Sequence, residues 1–466
     1  MKQDFRPGYA SYSSTPSLPT EVFHLENMDR DVDGFWRPRW GLKYLDGYAG
    51  DITHLSAHPD GDAVMLIYNG GNLAYWVSPS TKGNLDTGWP TSFVKAAWAP
   101  GANPLWLAHK AGVTGADNSL IKVDGSYSLN TVSGAPTGNW VANHNRVVFS
   151  IKNSTGIIRW SDYDDFATWP SGNDANKMPG SMTAEAIIDY GNNRSILFGQ
   201  QGLTEVTGGS DDEISFAQLQ NIAVAMPCHV ITKCGDCIIF LVPGPRFVKF
   251  QGGRIQTISQ PIAKDLRSYP SLTNLRCWHD AGRNYFCVTN LSTKYTHIYS
   301  VDEDRWLGFW TYSSDQGEPI LGGASLTGAN DQPYVLEFAS AGERLCRWDS
   351  TLYKDEVDAT PSNAVSFRCA IEAKPENSSD QRSLKRLRSI YADVAGSWTI
   401  YLKYRNTVDA AWTTVEWGTC TGPANITPPA RYEFREWTLR AVANSASDVR
   451  FRSLSAEVQP VSEAKR

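Results

Sequence analysis

No cysteine occurs in the first 227 residues of this 466-residue chain, and the eight that follow are scattered from Cys228 to Cys420. That spread excludes a disulfide framework and suits thiols acting as small buried apolar groups in a reduced compartment. No stretch approaches 18 apolar residues, so no helix is expected to span a membrane. Met1–Gly8 lacks the apolar core of a secretory signal, so none is expected. There is no long basic block: 43 Lys and Arg stand against 49 Asp and Glu, a net charge of −6. Tight electrostatic binding to a phosphate backbone is therefore disfavoured. A phosphate-cradling glycine loop ending in Lys-Ser/Thr, a Gly-x-Ser-x-Gly elbow and a His-Glu-x-x-His pair are all missing, which argues against enzymes with local signatures. Helix signals are nearly absent; the exception is a short helix expected over Pro261–Tyr269.

What the chain has is aromatic residues and rhythm. It carries 17 Trp, 20 Tyr and 17 Phe, which suit half-buried sheet faces and subunit contacts. A hairpin-like unit recurs roughly every 45 residues, near the period of propeller blades. The units start at Asp51, Ser92, Gly138, Thr183, Ala225, Leu275 and Ile320. Within them, runs such as Ala63–Tyr68 and Leu73–Val77 are separated by Asn69-Gly70-Gly71-Asn72, which is strand and hairpin chemistry. The fold class is therefore all-β: a propeller of about seven blades, within one either way, followed by a C-terminal β-sandwich.

Three segments are expected. Residues 1–34, rich in Ser, Pro and Tyr and without periodicity, read as an N-terminal arm. Residues 35–360 read as the propeller, entered through the aromatic and basic run Gly34–Leu42. The polar stretch Tyr353–Asn363 marks the boundary, and 361–466 reads as the sandwich, a platform for docking, with strands over 364–369, 387–393, 398–404, 413–417 and 449–454.

Several groups could carry chemistry. His54 and His58, followed by Asp60 and Asp62, have a metal-like spacing, but Pro59 and Gly61 break any helix, and a surface hairpin is expected. Cys234 and Cys237, with Cys228 nearby, form a Cys-x-x-Cys; the buried run Ile238–Val242 follows, so Gly235-Asp236 reads as a hairpin turn. Asp162, Asp164 and Asp165 beside Trp160 and Phe166 supply the carboxylates and stacking face of a glycoside hydrolase, and Asp302, Glu303 and Asp304 before Arg305-Trp306 form a similar cluster. Solvated turns are the expected role of both. Arg37, Arg39, Trp40, Lys385, Arg386 and Arg388, with Lys43, are candidate interface residues. No catalytic residue, cofactor or metal ligand is assigned.

The order of features resembles the tail hub or nozzle proteins of short-tailed double-stranded DNA bacteriophages, also called packaged-DNA-stabilisation proteins. The resemblance rests on Arg37–Leu42, Ala186–Gly199 followed by Leu203–Gly208, the run from Ala225 through Leu241 to Ser259, and Tyr299–Trp306. It spans roughly residues 35 to 460. It implies a non-enzymatic virion protein, assembled in the host cytoplasm as a homo-hexameric ring below the portal and adaptor. Such a ring retains packaged DNA, conducts it without sequence preference during ejection, and carries tail fibres, spikes or a needle, with no membrane insertion and no cofactor. The alternative is a carbohydrate-binding or glycan-hydrolysing propeller, such as a receptor-binding tail component, whose carboxylates would have to converge across blades. A cellular scaffolding propeller would be expected to carry Trp-Asp or kelch signatures in register, and these are missing.

Overall fold

The structure is a computed structural model. It describes residues 2–4, 22–30, 35–58, 63–77, 81–90, 94–99, 104–112, 116–152, 155–175, 184–191, 193–199, 202–209, 214–220, 230–293, 295–311, 320–327, 335–341, 343–373, 375–377, 384–407, 410–445 and 448–460. The chain divides into two compact units. One holds Leu45–Thr293 and Ile320–Arg347; the other holds Met1–Tyr44, Lys294–Pro319 and Trp348–Arg466.

The first unit is a propeller. Five four-stranded antiparallel meanders follow one another along the chain. Their innermost strands are Ile52–Ala57, Ala96–Ala99, Trp140–His144, Ala184–Gly191 and Ile231–Cys234. A sixth innermost strand, Leu275–Asp280, pairs with Tyr285–Asn290. The seventh, Ile320–Thr327, pairs with Val335–Ala341. The seventh inner strand lies beside both the sixth and the first, which closes the circle. All seven begin within six residues of the repeat starts read from the sequence, the fifth being the furthest off, at Ile231 against Ala225.

Among the described side chains, burial is highest in the inner part of a blade and fades outward. The second strands Ala63–Tyr68, Val147–Lys152 and Cys237–Val242 are buried on both faces, which is why they read as unbroken apolar runs rather than alternating ones. Outer strands such as Thr81–Asp86 and Arg254–Thr257 are polar and exposed. The core sits between blades. Met65, Ile67 and Leu73 pack with Trp106 and Ile121; Leu107 and Leu120 pack with Val141 and Val148; Phe149, Ile187, Phe198 and Phe240 join blades three, four and five. The last blade is sealed against the first by chain from the N-terminal side: Tyr48 N–H donates to the Glu343 carbonyl at 2.7 Å, and Tyr48 and Leu345 pack with Ile52 and Leu66. The expected short helix is present over Ala263–Ser268, anchored by buried Leu266.

The second unit is a two-sheet β-structure. One sheet is led by the long strands Lys385–Ala395 and Arg450–Pro460. The other contains Arg368–Ala373, Glu436–Asn444, Trp398–Arg405 and Thr413–Cys420. Trp398 of one sheet meets Phe451 of the other with ring centroids 5.5 Å apart. This unit is not confined to 361–466. Val22–Glu26 pairs with Arg368–Ala373, Lys2–Asp4 with Arg450–Pro460, and Trp36–Pro38 with Met28–Arg30. The stretch expected as an arm thus contributes strands. Strands of three to five residues whose partners lie more than 300 positions away, as for Lys2–Asp4 and Val22–Glu26, carry no local signal.

Candidate functional site

The inner strands of the first six blades line an axial cavity of about 490 Å³. Its polar lining comes from the same strand of different blades: His54 from the first, Lys95 at the entry to the second, Asp189 from the fourth, Lys233 from the fifth, and Arg276 and His279 from the sixth. Lys233 Nζ lies 3.0 Å from Asp189 Oδ2, linking blades four and five. The Asp189 carboxylate also accepts the Gly191 N–H at 2.9 Å. His54 is buried; burial and then the neighbouring Lys95 charge push its imidazole down to about 4, so it is neutral at pH 7. Burial lowers Lys95 to about 8, and its ammonium sits 5.4 Å from the centre of the Trp140 ring. Burial also pulls Arg276 below its ordinary value and pushes the Cys277 thiol well up.

Polar side chains also clasp blade to blade. His109 bridges the Asn118 carbonyl through Nδ1 at 2.8 Å and Ser150 Oγ through Nε2 at 2.8 Å. A carbonyl only accepts, so Nδ1 carries the proton and Nε2 accepts from the serine hydroxyl. His144 makes the mirror arrangement, with Nε2 on the Gly208 carbonyl at 3.0 Å and Nδ1 on Ser195 Oγ at 2.7 Å. Burial lowers both imidazoles, His109 to about 4. These Ser-His pairs have the contact of a nucleophile and base, yet both histidines are fully buried and each is held by a carbonyl rather than a carboxylate. Trp140 Nε1 donates to the Ile187 carbonyl at 2.9 Å, Trp98 Nε1 to Ser56 Oγ at 3.0 Å, and Thr289 Oγ1 to the Ile320 carbonyl at 2.6 Å. Blade joints are thus hydrogen-bonded as well as packed.

The residues singled out from sequence are dispersed. His54 faces the axis, while His58 stacks edge-on against Trp98 at 4.6 Å; Asp60 and Asp62 lie outside the described residues. Among the described residues, no group of three or more His, Cys, Asp or Glu side chains could hold a metal ion. Cys234 and Cys237 face each other across a hairpin turned at Gly235, whose φ of +58° favours glycine; both thiols are buried, neither is in a disulfide, and the Cys237 thiol donates to the Cys234 carbonyl. Cys228 lies outside the described residues.

The acidic clusters are turns. Asp164 has φ +55° and receives the Arg146 guanidinium, with Nε at 2.8 Å. Asp165 accepts from Thr168 Oγ1 at 2.6 Å and from Ala167 N–H at 3.1 Å, which together hold its carboxyl below the usual range. Asp162 accepts the Tyr163 N–H at 2.9 Å. In the other unit, Asp304 has φ +51° and accepts the Tyr299 hydroxyl, and Glu303 pairs with Arg305.

Of the candidate interface residues, Arg39 requires correction: it is fully buried. Asp355 grips it bidentately at 2.5 and 2.9 Å. The carbonyls of Trp40 and Thr311 accept at 2.7 and 2.8 Å, and the Phe367 ring lies 3.9 Å from the guanidinium carbon. An arginine with its donors spent inside the core has nothing left to offer a partner. Arg37, Trp40, Lys385 and Arg386 are half-buried, the last paired with Glu433 at 2.6 Å, and Arg388 is exposed.

Sequence reading missed Lys95, Lys233 and Arg276. The available signal was their place in the repeat: each lies within three residues of the start of an innermost strand.

No family model and no curated protein matches the sequence. Among solved structures, the chain is similar to a streptogramin B lyase, with a TM-score of 0.45 and 10% identity, covering 67% of this chain and 98% of that one. The WD40 repeats of RRP9 give 0.44 and 10%, covering 67% and 99%. A catalytically inactive virginiamycin B lyase from Staphylococcus aureus, with quinupristin, gives 0.45 and 10%, covering 66% and 98%. Likeness at this level carries nothing about activity or partners.

Proposed function

We propose that this protein is a structural component of a phage tail, the hub or nozzle ring that retains packaged DNA and lets it leave. The observation that carries the reading is the use of the candidate catalytic residues. The carboxylates of Asp164 and Asp165 are tied to Arg146 and Thr168, those of Glu303 and Asp304 to Arg305 and Tyr299, and the two Ser-His pairs are blade clasps. A retaining or inverting glycosidase needs two carboxyl groups facing one another across a sugar. The described axial lining offers a single carboxylate, Asp189, already paired with Lys233. This weighs against the glycan-hydrolysing alternative and in favour of a scaffold. A closed ring with hydrogen-bonded joints also suits a part that must keep its shape. The sequence resemblance supplies the identity of the scaffold, its adaptor and fibre partners and its six-fold assembly.

Negative-stain electron microscopy of the concentrated protein, alone and with its portal–adaptor partner, tests this. Six-fold rings with an open centre are expected. Persistent monomers under both conditions, together with glycan cleavage abolished by Asp164→Asn or Asp165→Asn, would overturn it.

A further inference from the structure

The axial cavity opens to solvent, and three cationic side chains belong to its described lining: Lys95, Lys233 and Arg276. Two of them are engaged. Lys233 Nζ meets Asp189 Oδ2 at 3.0 Å, and the Arg276 guanidinium donates to the Thr273 and Leu275 carbonyls at 2.9 and 2.8 Å. Lys95 differs. Among the described residues, no carboxylate and no hydrogen-bond acceptor holds its ammonium. Its described neighbours come from the blades on either side. One is Trp140 of the third blade, whose ring centre lies 5.4 Å from Nζ; the other is the neutral imidazole of His54 in the first. A half-buried lysine between an aromatic ring and an uncharged imidazole lacks the counter-charge that would hold its proton, and burial lowers its ammonium to about 8. An amine that sheds its proton this readily, on a cavity that a small molecule can enter, is a nucleophile.

We propose that Lys95 is a covalent site of the axial cavity for small aldehydes or ketones, which condense with its side-chain amine to an imine. The nitrogen lone pair attacks the carbonyl carbon, and the C–O π pair moves onto oxygen. A proton passes from nitrogen to that oxygen, giving a carbinolamine. The hydroxyl then leaves as water with the remaining nitrogen proton, and the C=N bond forms. No oxidant or reductant is consumed, and water reverses the reaction. The cavity, about 490 Å³, falls in the size range of small-molecule sites. The other titratable groups around it are His54, Asp189, Lys233, Arg276, Cys277 and His279. His54, lowered to about 4, and the Cys277 thiol, pushed well up, do not change charge near pH 8. The inference is independent of the tail-hub reading, and either can fail alone.

Reductive labelling of the full-length protein with benzaldehyde and cyanoborohydride, read by peptide mass mapping, tests it. At pH 7.5 about a quarter of Lys95 carries no proton, against about one in a thousand for a lysine of ordinary basicity. A less basic amine is also a weaker nucleophile, which offsets part of that advantage. Lys95 should therefore be labelled at least about tenfold faster than Lys264, an exposed lysine of the short helix, with a rate half-maximal near pH 8. The α-amino group reacts in the same range and is told apart by its peptide. Unfolding in urea should abolish the preference for Lys95. An aldehyde carried on dextran, too large to enter the cavity, should label Lys264 and spare Lys95. Lys95→Met should remove the fast phase of adduct formation; should that variant fail to fold, the map of the native protein still decides. Labelling of Lys95 no faster than Lys264, a rate still climbing steeply above about pH 9, or equal labelling of both by the dextran aldehyde would overturn the proposal.

Discussion

Replacing Asp355 by Asn keeps the size of the side chain and removes the charge that Arg39 is folded around. In the native protein Asp355 meets the guanidinium bidentately at 2.5 and 2.9 Å and accepts the Leu42 N–H at 3.1 Å, and both partners are wholly buried. Removing one member of a buried pair typically costs 3–5 kcal/mol, because the other charge stays in the interior without its counter-charge. Here the Trp40 and Thr311 carbonyls and the Phe367 ring remain, and Asn can still accept one hydrogen bond, so the lower end applies: about 3 kcal/mol. For a unit of this size that lowers the melting temperature by about 6–12 °C. Urea unfolding and calorimetry of the full chain measure both quantities. The double replacement Arg39→Met with Asp355→Leu removes both charges and should recover most of the loss. The reasoning fails if Asp355→Asn unfolds within about 1 kcal/mol of the native protein, or if the double variant is no better than the single one.

Three further outcomes are expected. His54 and His109 are buried with imidazoles lowered from 6.5 to about 4. The unfolded chain therefore binds more protons between those values, so their stabilisation is complete above pH 6.5 and drains away as pH falls toward 4, about 3 kcal/mol for each. His109→Gln should thus lose about 2.5 kcal/mol less than the native protein between pH 7 and 4.5 in urea titrations; equal losses would contradict it. Gly71→Ala should cost at least about 2 kcal/mol, because φ is +115° and the added carbon would meet the Trp89 carbonyl, whereas Gly70→Ala, with φ +69° and open space around it, should cost about 1 kcal/mol; similar urea midpoints for the two would count against the geometry. Trp140→Phe deletes the indole bond to the Ile187 carbonyl between blades three and four and should cost about 1–3 kcal/mol, read as a shifted midpoint with an unchanged slope.

The propeller was legible because its signals are local and repeated. Asn69-Gly70-Gly71 and Cys234-Gly235-Asp236-Cys237 announce turns wherever they occur, and seven such periods leave few alternatives. The helix over Ala263–Ser268 was legible for the same reason. The second unit was read correctly as β-structure but not in extent, since the pairing of Val22–Glu26 with Arg368–Ala373 is set by tertiary packing across the whole chain. Arg39 misled because its segment, Trp36-Arg37-Pro38-Arg39-Trp40, has the composition of an exposed basic patch. Only the position of Asp355, 316 residues later, turns it into a core residue. Lys95 was passed over because single lysines in strands are usually solvent-facing, and which face of an inner strand meets the axis depends on ring closure.

Polar groups inside this ring fall into two kinds, and the difference bears on function. Ser150 with His109, Ser195 with His144, and the indole of Trp140 satisfy each other or a carbonyl, so they lock blades together at little electrostatic cost. Lys95 differs: burial lowers its ammonium to about 8, and its described neighbours are the Trp140 ring and neutral His54. An apolar side chain of similar length would avoid that desolvation and keep the packing against the ring. Lys95→Met should therefore leave the urea midpoint at least where it was. A lowered midpoint would mean instead that the ammonium holds blades two and three together through its contact with the Trp140 ring.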